Sequence, residues 1–304
     1  MIQRKSVIIE KTAGSRATGP VWAEPEISAS KRLLSGILLF LSIFLACNAE
    51  AQCLPEKMPL NHGETVNYDV YFKWGILMPK AARASISFNK STYEGVPGSK
   101  YQMIFQTTKF FDAIYKMRDT LSCYYDRTYK LLHTSKRVSE GGSCLIDDLT
   151  FTYTGNKTKV RSHRYTPLAT KIDTTLTVAS GCACDMLAAT FFLRTLDWDH
   201  MKPSDSYSSI VVIGRQLVKI SFRYQGPSIV EHDNAKFRTH YFLIDIFDEV
   251  FERSESAAEL WVGDDENHIP IKIRSKLKIG YAEVYYKSSV QLKAPLTCRV
   301  EMKK

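Results

Sequence analysis

The chemistry open to this sequence is concentrated in a few groupings of cysteines, acids and histidines. Cys182-Ala183-Cys184-Asp185 places two thiols one residue apart, with an acid beside them. Redox catalysis would call for a Cys-x-x-Cys spacing at a helix N-terminus within a βαβ pattern, and a zinc centre for a second Cys or His pair; neither follows. The pair is therefore expected to be structural. Cys123, Cys144, Cys182 and Cys184 are the disulfide candidates, with Cys182 or Cys184 bonded to a distant partner such as Cys144 or Cys123. The even set Cys53, Cys123, Cys144, Cys182, Cys184 and Cys298 beyond residue 51 suits an oxidising compartment.

Carboxylates offer the second chemistry. Asp147 and Asp148, Asp245, Asp248 and Glu249, and Asp264, Asp265 and Glu266 could each supply a pair for glycan cleavage, although loop solvation is the plainer role. His232 and His240 would share a face if one strand held both. Gly142-Ser143-Cys144 reads as a turn. With no Gly-x-Ser-x-Gly elbow, His-Glu-x-x-His pair or phosphate-cradling loop, no catalytic residue, metal or cofactor is expected.

The elements that must carry these residues follow from periodicity. Val66, Tyr68, Val70 and Phe72 alternate with polar neighbours, as do Tyr101, Met103 and Phe105, and Val218, Ile220, Phe222 and Tyr224; period two marks half-buried strands. Similar runs lie at 82–88, 119–125, 128–138, 147–154, 157–165, 207–213, 236–246, 257–263, 269–279 and 281–292. Gly141-Gly142, Gly155-Asn156, Gly226-Pro227 and Gly263-Asp264-Asp265 punctuate them. The expectation is an all-β, mainly antiparallel fold: a strongly curved sheet or incomplete barrel. From Asp185 the pattern changes to helical spacing, and one principal helix is expected near 185–195, with Asp185 as its cap and Arg194 favouring the carbonyl end. Trp261 on a strand, the Gly263-Asp264-Asp265 turn and Pro270 describe a hairpin with an aromatic anchor. The same Trp261, Asp264 and Asp265 could form an aromatic and acidic rim for a sugar.

Lys31-Arg32 followed by the apolar run Leu33–Ala46 and by Ala49-Glu50-Ala51 has the order of a secretory signal cleaved after Ala51. Residues 1–51 are read as an N-terminal extension and signal peptide, and 52–304 as a single β-rich domain. Leu45-Ala46-Cys47 ends like a lipobox, and membrane association is expected only if Cys47 is acylated. A net charge of +9 with no Lys/Arg cluster longer than two implies a solvated basic surface near anionic envelope lipids or glycans, and no nucleic acid partner.

Gly63-Glu64-Thr65-Val66-Asn67-Tyr68, then Asp185 through Arg194, then Trp261-Val262-Gly263-Asp264-Asp265 leading to Ile269-Pro270, resemble in this order the exported family known as domain of unknown function 3108. The family's pattern is a Gly-Glu opening, an Asp-to-Arg helix and a Trp-x-Ser-Asp-Asp turn; here Gly263 takes the serine position. The resemblance spans roughly residues 60 to 292. It implies an envelope location and a β-rich fold, and brings no catalytic residues. The expected function is a periplasmic or envelope protein without enzymatic activity, which binds an apolar or amphipathic ligand, a lipid or glycan, or serves as an assembly factor. A hydrolase of envelope glycan or lipid using a carboxylate pair is the alternative. Oligomeric state is left open.

Overall fold

Side-chain alternation resolves into ladders. In the first of them Glu64, Val66 and Tyr68 are buried while Thr65 and Asn67 are partly exposed, the pattern of a strand with one face on a core. The computed structural model describes residues 58–301 except 74, 180, 248–253 and 278–279. The signal segment Leu33–Ala46, the cleavage site at Ala51, Cys47, Cys53, Asp248 and Glu249 lie outside the described residues.

The strands are β1 (Glu64–Lys73), β2 (Lys80–Tyr93), β3 (Val96–Thr107), β4 (Arg118–Asp126), β5 (Leu131–Glu140), β6 (Ser143–Thr154), β7 (Lys157–Thr166) and β8 (Ala169–Val178). After them come β9 (Ala183–Cys184), β10 (Ser206–Ile213), β11 (Gln216–His232), β12 (Ala235–Phe247), β13 (Ser254–Gly263), β14 (Pro270–Lys276), β15 (Tyr281–Val290) and β16 (Arg299–Glu301). They join in one sheet, in the order β8-β7-β6-β5-β4-β3-β2-β1-β15-β14-β13-β12-β11-β10-β9, with β16 added to β12. All pairings in that order are antiparallel except the short β9–β10 contact. The β10–β11 turn at Gly214 comes against Ile172 and Arg164 of β8 and β7, so the two ends of the sheet approach each other. The result is the all-β, nearly closed barrel-like sheet that the alternation predicts.

Two-residue hairpins set the registers. Glu94-Gly95 and Asp233-Asn234 place both central residues at positive φ, 48° and 81° in the first and 49° and 60° in the second. That geometry matches the strand twist and suits Gly, Asn and Asp.

Several boundaries differ from the periodicity. The run 128–138 is broken at 127–130, where the Asp126 carboxylate accepts from the backbone N–H of Thr128 (2.8 Å) and Lys130 (3.0 Å) and turns the chain. Gly226-Pro227 is no turn: it lies inside β11 at a bulge opposite Tyr241 and His240, with Gly226 at φ 121°. Strand β8, ATKIDTTLTV, carries only a weak apolar pattern: Ile172, Leu176 and Val178 share its inner face, and threonine and charge fill most other positions, as befits the end of a sheet. A helical turn, Lys109–Asp112, capped by Thr108, separates β3 from β4.

The principal helix is Met186–Arg194. Asp185 caps it, accepting from the Ala188 N–H at 2.7 Å. Ala188 and Ala189 are buried and small enough for close approach, and Phe191 packs its ring on Tyr125 (centroids 4.4 Å), Tyr101 (5.5 Å) and Phe88 (5.9 Å). The helix thus fills the space beneath β2, β3 and β4 with aromatic side chains. Among the described residues no helix is long and apolar enough to cross a membrane.

Candidate functional site

Arg194 does more than complement the helix terminus. It is 1% exposed, and its Nη1 and Nη2 donate to Glu64 Oε1 (2.6 Å) and Oε2 (3.3 Å), while Nε and Nη2 donate to the Asn267 carbonyl (3.2 and 2.8 Å). Burial opposes its charge, but Glu64 beside it raises the guanidinium above its ordinary value. The opening strand, the helix and the turn after β13 are therefore tied together at one buried ion pair. Asn267 is itself buried and exchanges side-chain hydrogen bonds with Ala294, donating to its carbonyl and accepting from its N–H, both at 3.0 Å.

This knot holds the 264–268 turn rigid, and a cleft of about 520 Å³ opens beside it. Trp198, His240, Asp264, Asp265, His268 and Lys293 are among the lining residues. The His240 ring is placed by both neighbours: Nε2 donates to Asp264 Oδ1 (3.1 Å), which leaves Nδ1 to accept from the Tyr224 hydroxyl (2.7 Å). Burial and then Asp264 raise the Tyr224 phenol. His268 donates from Nδ1 to the Arg194 carbonyl (3.2 Å), so its Nε2 carries the lone pair. Burial drives its basicity down to about 4, keeping the ring neutral. Trp198 stacks on His268 at 4.5 Å and meets His240 at 5.3 Å. Its indole N–H is buried and has no acceptor among the described residues. The site thus pairs a flat aromatic wall with a hydrogen-bonded Tyr–His–Asp chain.

Of the residues singled out from the sequence, Asp264 and Asp265 line this cleft and Trp261 does not. Asp265 is occupied structurally, accepting from the N–H groups of Asn267 (3.0 Å) and Cys298 (3.1 Å). Trp261 stacks on Tyr241 (4.8 Å), with Lys272 over its ring at 4.8 Å, next to Arg274, which bridges Glu259 and Glu283 at 3.0 Å each. His232 and His240 sit on separate strands; His232 stacks on Tyr285 (4.1 Å), away from the cleft. Trp198 and His268 carried no periodic or motif signal. The 3-10 turn Trp198–His200 that follows the helix and the 264–268 turn bring them together.

The cysteines depart from the expected pairing. Cys123, Cys144 and Cys184 are free thiols, as is Cys298, so neither Cys123 nor Cys144 is bonded to Cys184 or Cys182. The reason is local: Cys123 donates its S–H to Asp185 Oδ1 (3.4 Å), Cys184 is sealed in the core, and Cys144 is exposed beside the β5–β6 turn. Burial, then the Asp185 carboxyl, pushes the Cys123 thiol well up and that of Cys184 up to about 12. Both stay protonated, which leaves them poor nucleophiles. Asp185 is thus cap and thiol acceptor at once, and burial raises its own carboxyl. No group of three potential metal ligands occurs among the described residues.

The fold is similar to that of a β-barrel-like protein of domain of unknown function DUF1849 from Brucella abortus, at 10% identity and TM-score 0.51, covering 80% of this chain and all of that one. A protein from Parabacteroides distasonis aligns over 79% of this chain and 99% of its own, at 8% identity and TM-score 0.31, too low to support any inference. No curated protein matches the sequence. A family model matches residues 67–287, which covers most of the sheet, the helix and the 264–268 turn, while Met58, Pro59 and Lys293 of the cleft lie outside it. The chain belongs to the family described as protein of unknown function (DUF3108).

Proposed function

We propose that this protein is an exported binding protein of the cell envelope that holds the sugar-like head of an amphipathic ligand in the Trp198 cleft, without chemistry on it. The observation that carries the reading is the pairing of the Trp198–His268 stack with the Tyr224–His240–Asp264 chain. The apolar face of a pyranose suits such a wall, and its hydroxyls suit the fixed carboxylate and imidazole groups. An apolar ligand within the sheet is less well supported, because Phe191 and its aromatic neighbours fill the space under the helix. Export is supported by the signal-like order of Lys31-Arg32, Leu33–Ala46 and Ala49-Glu50-Ala51.

Octyl glucoside is a suitable probe, read by tryptophan fluorescence. Saturable binding is expected, and Asp264→Asn combined with His240→Gln should weaken it about tenfold, the loss of roughly one to two hydrogen bonds to a charged or polarised group. Unchanged affinity in the double variant would remove the cleft as the site. A second reading, a glycan hydrolase, draws on the several carboxylates that line the cleft, Asp199, Asp264, Asp265 and Glu266. Asp265 is already spent on backbone N–H groups, which weakens that reading. Release of reducing ends from envelope glycan, abolished by Asp264→Asn, would favour it.

A further inference from the structure

Because neighbouring strands run antiparallel, every second turn falls on the same edge of the sheet. The turns after β1, β3, β5, β7, β10 and β14 share one edge, and those after β2, β4, β6, β11 and β13 share the other. The two edges differ in chemistry. The second is built from Glu94-Gly95, Arg127–Lys130, Gly155-Asn156, Asp233-Asn234 and the 264–268 turn, the polar residues that turns ordinarily use. On the first, apolar side chains stand at the tips: Ile76 is 100% exposed, Leu168 96%, and Phe110 and Ile114 69% each, with Leu77 and Tyr115 beside them. Most of the exposed large hydrophobics among the described residues lie on this edge.

The tips are held in place by structure. Thr108 N–H donates to the Ala81 carbonyl (2.9 Å) and Gly141 N–H to that of Lys116 (3.0 Å), while the Tyr115 ring lies against Gly141 and its hydroxyl reaches Glu140 (3.4 Å). Positive charge lies directly behind them. Lys109, Lys116, Lys171, Arg215 and Lys276 occupy the same turns or strand ends, and Lys80, Arg83 and Arg118 line two adjoining hollows of about 420 and 380 Å³ that share Arg83 and Gln106. Of the acids there, Asp69 pairs with Lys80 and Asp112 with Arg118, at 2.5 Å each, and Glu140 accepts from the Tyr115 hydroxyl, so the excess positive charge comes from Arg83, Lys109, Lys116, Lys171, Arg215 and Lys276.

We propose that this edge docks on an anionic lipid surface, its apolar tips entering the head-group region and its Lys and Arg side chains meeting lipid phosphates. An apolar belt backed by cations is the arrangement that binds such an interface, hydrophobic insertion and electrostatic attraction adding together. The inference does not rest on the ligand reading, whose cleft lies at the opposite edge. It also removes the condition set from the sequence, that membrane association requires an acylated Cys47.

The test uses protein exported and processed by its host and carrying Cys47→Ser, so that no acyl chain contributes. It is floated with vesicles of phosphatidylglycerol and phosphatidylethanolamine, and with phosphatidylcholine alone. Flotation with the anionic vesicles and not the neutral ones is expected. Ile76→Ser with Leu77→Ser and Phe110→Ser should lower the partition coefficient about tenfold or more. Leu168→Ser, at a separate tip, should lower it independently, so a folding defect in the triple variant does not decide the matter. Val96→Ser with Val290→Ser, on the polar edge, should leave it unchanged. No flotation, flotation insensitive to the tip variants, or a change of oligomeric state in those variants without lipid would overturn the proposal; the last would make a second copy of the chain the occupant.

Discussion

Replacing Arg194 with methionine is expected to cost about 3–5 kcal/mol of folding stability, because it leaves the Glu64 carboxylate buried without its partner. In a domain of this size that lowers the melting temperature by roughly 10 °C. The Asn267 carbonyl also loses both of its guanidinium donors, so the 264–268 turn loosens and the cleft with it. Combining Arg194→Met with Glu64→Leu should recover much of the loss, since an apolar pair of similar volume avoids the buried charge. Thermal denaturation of the single and double variants gives the answer. A loss of less than about 1 kcal/mol for the single change, the level of an exposed ion pair, would mean that the pair is not buried as described.

The second large effect is on acid stability. In the fold His268 takes a proton only near pH 4, whereas in an unfolded chain it does so near 6.5. Between those values the unfolded state binds more protons, so stability falls as pH drops from 6.5 to 4, by roughly 3 kcal/mol in all. Burial lowers His133 and His232 as well, which adds to the same trend. The raised carboxyls of Asp185 and Asp119 act in the opposite sense, being stabilising at low pH and costly as pH rises. The difference between the parent and His268→Gln isolates the one group: the variant should melt with a flatter pH profile from 6.5 to 4. Parallel profiles would show that the ring is already charged in the fold.

Much of the architecture was legible from alternation because a one-sided core writes itself into every second residue. Val66, Tyr68, Tyr101, Ile220 and Phe222 show that face directly, and Asp185 marks the helix start through the backbone donors it must cap. Strand β8 is harder to read because Thr174 takes an inward place between Ile172 and Leu176 and only Val178 is fully buried. The three family-like stretches could be noticed as short strings, but their purpose, a Glu64–Arg194–Asn267 junction, is a long-range contact that spacing does not encode. Asp264 was legible as a turn acid; its chain to His240 and Tyr224 depends on the register of β11, β12 and β13. The cysteine pairing failed because an alternating Cys-x-Cys says which directions the thiols take, and nothing about an acceptor such as Asp185 already waiting for Cys123.

The pairing of β1 with β15 has a consequence for the order of events in time. Every other antiparallel ladder of the sheet joins strands that follow one another in sequence, apart from the small β12–β16 addition. The β1–β15 ladder instead matches Thr65 with Val290 and so closes nearly the whole sheet into a loop. Local hairpins form on microsecond timescales, while a contact of such sequence separation must first meet the entropy of closing that loop. In a polypeptide that emerges from its N-terminus, the meander β1–β8 can assemble while β1 still offers an unpaired edge. That edge waits until the last tenth of the molecule arrives to cover it.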